Sequence, residues 1–327
     1  MQRNMQLPVS SSVREGNKLM KTQNPREVYG RTLVEIGREN PNIVVLEADL
    51  GKSTMSCYFE QTFPERFFEM GIAEANMTSF AAGLCLAGKI PFTNSFAVFA
   101  AGRAFDQIRQ GICIPALKVR IVGSSSGLSD FGDGSTHQSV EDVAIMRAIP
   151  NMTVLVPADG NETRTMTRAM VDYPGPVYMR ISRNDLPDVM PEKEPFVAGK
   201  PHLIRRGSDM VIYANGQMVS LALEAAEILA GEGISLRIVN VSSMKPLNGG
   251  ELAAFADGMK GVITAEEHSL IGGLASLVRE VLQGRSIPMK TIGIKDRFGQ
   301  SAHSYQDLLQ AYELTPSHIA AAARQLK

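Results

Sequence analysis

The sequence predicts an α/β protein made of two doubly wound units, each with a mainly parallel sheet flanked by helices. Two observations carry this. Short, near-continuous runs of Val, Ile and Leu alternate with amphipathic stretches from residue 25 onward, and one proline-rich break divides that alternation into two series. Over 26–38, Val28, Leu33, Val34 and Ile36 give a helix its apolar side. The run 42–46 (Asn-Ile-Val-Val-Leu) reads as a buried strand ending in the polar Glu47-Ala48-Asp49. Helices are expected at 75–88, 100–112, 139–147 and 160–172, with strands at 92–96, 118–122, 152–156 and 176–181. Pro187, Pro191, Pro195 and Pro201 then interrupt the pattern. Residues 187–201 therefore read as a linker between a first domain at 25–186 and a second at 202–327. In the second domain, strands at 209–214, 235–241, 261–265 and 289–294 alternate with helices at 218–230, 248–255 and 273–282. A helix at 316–325 closes the chain, with Thr315 as N-cap before Pro316. Residues 1–24 are polar and aperiodic and read as an arm.

Composition removes several functions. Lys and Arg total 33 against 34 Asp and Glu, a formal net charge of −1, so there is no basic excess for a nucleic-acid backbone. No run approaches the roughly 18 apolar residues of a membrane helix; the richest, 80–87, is far too short. Cys57, Cys85 and Cys113 stand alone without CxxC or Cys/His pairing, which argues against a disulfide framework and a zinc site. No signal-peptide order of segments is present, so a cytoplasmic, reducing location is expected.

In open α/β sheets, ligands sit beyond the carboxyl ends of the strands, so polar residues just after strand ends are the first candidates. Glu74 lies among small and apolar neighbours at the start of an Ala/Gly/Leu-rich helix, with no Lys or Arg between Arg66 and Lys89. Such a carboxyl could share a proton with a ligand nitrogen; it could equally be a first-turn Glu favoured by the helix dipole. Gly132-Asp133-Gly134 permits a tight turn before Ser135-Thr136-His137, and His137 suits a proton carrier, a hydroxyl ligand or a plain helix-entry residue. Phe92, Phe96 and Phe99 could stack on a planar heterocycle or simply fill the core. Arg180 and Arg183 could grip an anion. Gly-Asp-Gly also opens the diphosphate-and-magnesium motif of thiamine diphosphate enzymes, but the paired asparagines that end that motif are absent. Walker A and GxGxxG loops are absent as well.

Taken together, these segments resemble the C-terminal half of transketolase. The resemblance runs through Glu47-Ala48-Asp49-Leu50, Gly71-Ile72-Ala73-Glu74-Ala75-Asn76-Met77 and Phe96-Ala97-Val98-Phe99. It continues in Asp133-Gly134-Ser135-Thr136-His137-Gln138, Pro157-Ala158-Asp159 and Ser182-Arg183-Asn184-Asp185-Leu186-Pro187. Glu266-Glu267-His268-Ser269 and Asp296-Arg297-Phe298-Gly299 follow in the second domain. It covers 25–327 in order and implies the pyrimidine-binding and C-terminal domains of a split, two-chain enzyme. By this resemblance, Glu74 bonds the aminopyrimidine N1′ of thiamine diphosphate, Phe96 and Phe99 pack on its ring, and Asp49 lies near it. Catalysis is implied for Glu74 and His137, and substrate contacts for Asp133, His137, Ser125 and Arg183, the last to a sugar phosphate. No metal is expected on this chain: Mg2+ (or Ca2+) and the diphosphate are implied on an N-terminal partner subunit, in an α2β2 assembly. The implied reaction moves a two-carbon ketol unit from a ketose to an aldose.

The sequence departs from the family on the sugar side. Ser124-Ser125-Ser126 stands where split relatives carry a histidine, Phe131-Gly132-Asp133-Gly134 replaces Gly-Glu-Asp-Gly, and Gly102 falls near a usual tyrosine. A ketose donor other than the common pentose phosphates is therefore expected. Two alternatives stay open: the β subunit of a 2-oxoacid dehydrogenase, and a non-catalytic partner of the same fold.

Overall fold

The structure is a computed structural model that describes residues 21–327; of the expected arm, residues 1–20 lie outside the described part. Lys21–Asn24 are built into the fold. Thr22–Gln23 pairs antiparallel with Leu186–Pro187, and the Asn24 side chain accepts from the Arg26 N–H, starting helix Pro25–Glu39 with proline in its first turn.

A seven-stranded sheet forms the first unit, in the order Ser243–Lys245, Thr153–Leu155, Val177–Arg180, Arg120–Ser124, Ile90–Phe96, Ile43–Glu47, Phe67–Glu69. Every pairing is parallel except that of Ser243–Lys245. A five-stranded sheet forms the second, in the order Met289–Ile294, Gly261–Ser269, Met210–Ala214, Leu236–Asn240, His202–Arg205, antiparallel only at its last strand. Strands Ile43–Glu47, Arg120–Ser124 and Met210–Ala214 are buried at every position, because helices cover both faces. The expected doubly wound architecture is what forms.

Several elements differ from expectation. The stretch read as one helix at 100–112 is broken into Ala97–Gly102, Phe105–Gln107 and a π turn at Ile108–Cys113, where the chain bends beneath the helix Glu74–Leu86. Gly51–Thr54, Cys57–Thr62 and Tyr305–Ala311 are helices too short or too polar for periodicity to reveal. The last starts with a capping box between Ser304 and Asp307. Thr315 does occupy the N-cap position of helix Pro316–Arg324, but its hydroxyl bonds Ser317 and His318 instead of a backbone N–H.

The two units are fused by more than the linker. Ser243–Lys245, from the second series, extends the first unit's sheet. Glu162, at the head of helix Gly160–Asp172, accepts from Ala158 N–H at 2.7 Å, Ser242 Oγ at 2.6 Å and Asn240 Nδ2 at 3.1 Å. The proline-rich segment is pinned: Asp159 accepts from the N–H groups of both Val189 and Met190 at 2.6 Å. Glu266 caps helix Leu274–Val281 through Leu274 and Ala275 N–H groups, and Glu267 accepts from Leu128 N–H at 2.7 Å. Burial lifts the carboxyls of Glu162, Glu266 and Glu267 to about 7 and that of Asp159 to about 6.

A carboxyl whose folded pKa is raised holds its proton longer when folded. Its stabilisation is complete below the unfolded value and lost as pH rises through the folded one. Burial holds His268 down to about 4, which acts in the opposite sense only below its ordinary 6.5. Between pH 6.5 and 8 the carboxyls alone act, so stability falls there. Urea midpoints measured across that window should drop with pH, at up to about 1.4 kcal/mol per unit for each titrating group, and Glu162→Gln should flatten the slope.

Candidate active site

The carboxyl end of the first sheet assembles a compact cluster from three separated stretches. Strand Ile90–Phe96 runs directly into helix Ala97–Gly102, so Phe96 and Phe99 lie one turn apart; their rings stack with centroids 6.0 Å apart and planes 16° apart. His137 stands edge-on to both, 5.3 Å from Phe99 and 6.0 Å from Phe96. The next turn brings Arg103, whose guanidinium centre sits 4.0 Å over the Phe99 ring. Its Nη1 lies 2.7 Å from Glu74 Oε1. Glu74 opens helix Glu74–Leu86 and is only 4% exposed, whereas Arg103 is 49% exposed. No cation lies near Glu74 in sequence; its partner, Arg103, comes from twenty-nine positions on. Phe99 and Arg103 at i and i+4 were the available signal.

Asp49 occupies the same sheet edge, at the end of strand Ile43–Glu47. It is exposed, in the left-handed region (φ 61°), and its N–H donates to Glu69 at 2.9 Å. Glu69 also accepts from Gly71 N–H at 2.8 Å, which ties the Asp49 turn to the loop delivering Glu74. Behind them Glu47 is fully buried, held by Thr54 and Ser56 hydroxyls at 2.6 Å, and desolvation lifts it to about 7.

On the other side of His137, Asp133 is exposed in the turn before it. Arg183 is half-buried, its Nη1 2.7 Å from Oδ2 of the buried Asp130, a residue that sequence reasoning missed. Two expectations fail on geometry. Arg180 is buried, ion-paired with Asp142 at 2.9 Å and hydrogen-bonded to the Glu267 and Ser139 carbonyls, so it braces the two units and grips no external anion. Ser125 is fully buried at φ 51° with its hydroxyl unpartnered among the described residues, and is not brought to the open face where substrate was expected to meet it. At Gly102 a Cβ would meet nothing within 4 Å, so the place near the usual tyrosine is open space.

A nearly buried carboxylate heading an apolar helix, linked through Arg103 to a stacked phenylalanine pair, thus stands at the carboxyl end of a parallel sheet, where doubly wound α/β proteins bind their ligands. Comparison with known proteins gives the family. "Transketolase, pyrimidine binding domain" matches residues 21–189, and "Transketolase, C-terminal domain" matches 199–319. The putative transketolase C-terminal section of Methanocaldococcus jannaschii is 43% identical over 90% of this chain and 93% of its own length. A 6-deoxy-6-sulfo-D-fructose transketolase subunit of Clostridium sp. is 40% identical over 92% and 94%. Among solved structures, a split-gene transketolase described as an inactive beta4 tetramer superposes with a TM-score of 0.83 at 46% identity, covering 92% of this chain and 97% of that one. The chain belongs to the transketolase family, and it corresponds to the C-terminal section of its split form.

Removing the counterion should expose how much the cluster holds. Arg103→Met is expected to lower the unfolding free energy by about 1–2 kcal/mol. Glu74→Gln with Arg103→Met should regain at least half of that in urea denaturation, because the stranded carboxylate is then gone.

Proposed function

We propose that this chain is the pyrimidine-side subunit of a two-chain transketolase, moving a two-carbon ketol unit from a ketose to an aldose with thiamine diphosphate. The observation that carries the reading is Glu74: a carboxylate almost sealed from water, joined through Arg103 to a stacked aromatic pair on a neighbouring element. These residues fit the cofactor's aminopyrimidine, since the phenylalanine pair offers a flat apolar wall and Glu74 a hydrogen-bonding carboxylate beside it. Bound there, thiamine diphosphate supplies the electron sink for carbon–carbon cleavage.

The chain's own residues then have separate tasks. Glu74 holds a proton against the ring N1′, Phe96 and Phe99 fix the ring plane, and Asp49 borders it. Arg103 now makes the two contacts the ring needs, to Glu74 and to the Phe99 face, and its half-exposed side chain turns outward when the ring enters. His137 and Asp133 meet sugar hydroxyls and carry protons to and from them. A partner subunit holds the diphosphate and its Mg2+ or Ca2+. Ile72 at 73%, Phe80 at 42% and Leu86 at 75% exposure, all flanking Glu74 or on its helix, suit burial against such a chain and an α2β2 assembly. The sulfosugar relative supports a donor outside the common pentose phosphates.

Alone, the chain is expected to show no cofactor-dependent ketol transfer, and mixing with a diphosphate-binding partner should create it. In the mixture Glu74→Gln should cut kcat by at least about 100-fold with little change in complex formation. Full turnover in that variant would favour a scaffold role.

A further inference from the structure

Arg183 follows strand Val177–Arg180 by three residues and lines an open cleft of about 570 Å³ together with Phe131, Asn184 and Asp185. Its guanidinium is already engaged. Nη1 bonds Asp130 Oδ2 at 2.7 Å, and the Asp130 side chain is only 4% exposed, so this carboxylate cannot swing into water. Both partners are pinned through their backbones. Arg183 N–H donates to Ser129 Oγ at 3.2 Å, Asn184 Nδ2 to the Ser129 carbonyl at 3.1 Å, and Gln138 Nε2 to the Asp130 carbonyl at 3.0 Å. The pair is thus part of the loop that delivers Asp133 and His137.

The surroundings leave no surplus of positive charge. Asp133 and His137 lie within electrostatic reach of Asp130. Arg26 is within reach of Arg183, Asp130 and Asp185, and one of its own donors is spent on the Ser53 carbonyl at 2.7 Å. Two guanidinium groups, Arg183 and Arg26, therefore share these surroundings with four carboxyls, Asp130, Asp133, Asp185 and Glu27. A phosphate dianion set against Arg183 would give up its hydration for a place with no surplus of positive charge, which is unfavourable. A hydroxyl group fits better, accepting from the remaining guanidinium N–H groups and donating to a carboxylate.

We propose that Asp130 is a specificity-determining residue: by neutralising Arg183 it makes this site take the uncharged, hydroxyl-terminated end of a ketose in place of a phosphorylated one. The proposal rests on the ketol-transfer reading and deepens it. It replaces the family-based expectation that Arg183 meets a substrate phosphate.

The test uses the complex of this chain with its diphosphate-binding partner and two matched donor pairs, D-xylulose against D-xylulose 5-phosphate and D-fructose against D-fructose 6-phosphate. The unmodified complex should have the higher kcat/KM with the unphosphorylated member of each pair. Asp130→Asn should shift that ratio toward the phosphorylated member by tenfold or more, mainly through its KM. Arg183→Met, which does not depend on Asp130→Asn folding, should affect both members within about tenfold of each other. A phosphate anchor would instead lose the phosphorylated donor selectively, by about 100-fold or more. Preference for phosphorylated donors in the unmodified complex, or an unchanged ratio in Asp130→Asn, overturns the proposal. If no ketose reacts, the ketol-transfer reading fails by itself, and calorimetric titration with inorganic phosphate still decides this one. Binding at least tenfold tighter in Asp130→Asn supports it; equal binding overturns it.

Discussion

The contact between Glu74 and Arg103 is the constraint on which the rest of the site depends. A carboxyl at 4% exposure needs a hydrogen-bonding partner within the protein, and the helix it heads contributes only its dipole and first-turn N–H groups. Arg103 meets the need from another helix, and its guanidinium is itself placed over the Phe99 ring. One chain of contacts therefore runs Glu74, Arg103, Phe99, Phe96, with His137 closing against both rings. Because Phe96, Phe99 and Arg103 share one strand-to-helix junction, their spacing is fixed by helical geometry. No side chain in the series can move alone without uncovering its neighbour.

That junction needs a rigid base, and the fusion of the two units supplies it. Glu267 reaches back from the second sheet to the Leu128 N–H, close beneath the loop that carries Asp130 to His137. Gly127 stands there at φ 63°, and a Cβ on it would come within 2.6 Å of the Glu267 carboxyl, so only glycine fits the approach. Arg180 clamps the same region by joining Asp142 to the Glu267 and Ser139 carbonyls. The second unit, which contributes no residue to the Glu74 cluster, thus fixes where the His137 loop lies.

Much of this was legible in the sequence. The parallel strands announce themselves as Val/Ile/Leu runs because both their faces are buried. Glu74, Phe96 and Phe99 stand at a strand end or helix starts and His137 on the connection after a strand, where open sheets bind ligands, and the structure gathers all four. What was hidden is relational. Arg103 and Asp130 matter through partners far away in sequence, at positions 74 and 183; the i, i+4 spacing of Phe99 and Arg103 is a local hint of the ring contact but says nothing of Glu74. Arg180 differs from expectation for the same reason in reverse: its place at a strand end suggested a grip on an anion, while its side chain turns inward to Asp142. Ser243–Lys245 was missed because three residues carry no periodicity, and its pairing crosses from one series of elements to the other. The broken helix after Phe96 escaped because a π turn keeps nearly the same apolar spacing as the α-helix it interrupts.

The two halves of the site are built on different material, and this bears on where substrate preference can change. Glu74, Phe96, Phe99 and Arg103 sit at helix starts and strand ends, where a shift of one residue would disturb the sheet core beneath them. Asp133 and His137 lie on the connection between strand Arg120–Ser124 and helix Asp142–Ala148, and Arg183 lies just past the end of its strand. Such connections tolerate substitution because their backbone is held by a few specific bonds instead of a continuous ladder. Every departure from the family pattern noted on the sugar side falls there or at the open Gly102, while the residues that would face the cofactor keep theirs. A scaffold that fixes one ligand through its sheet edge and reads the other through a loop can change the second partner without rebuilding the first. Charge is the cheapest variable in that loop: one buried aspartate opposite Arg183 would alter the field felt by an incoming ligand, with the fold beneath it unchanged.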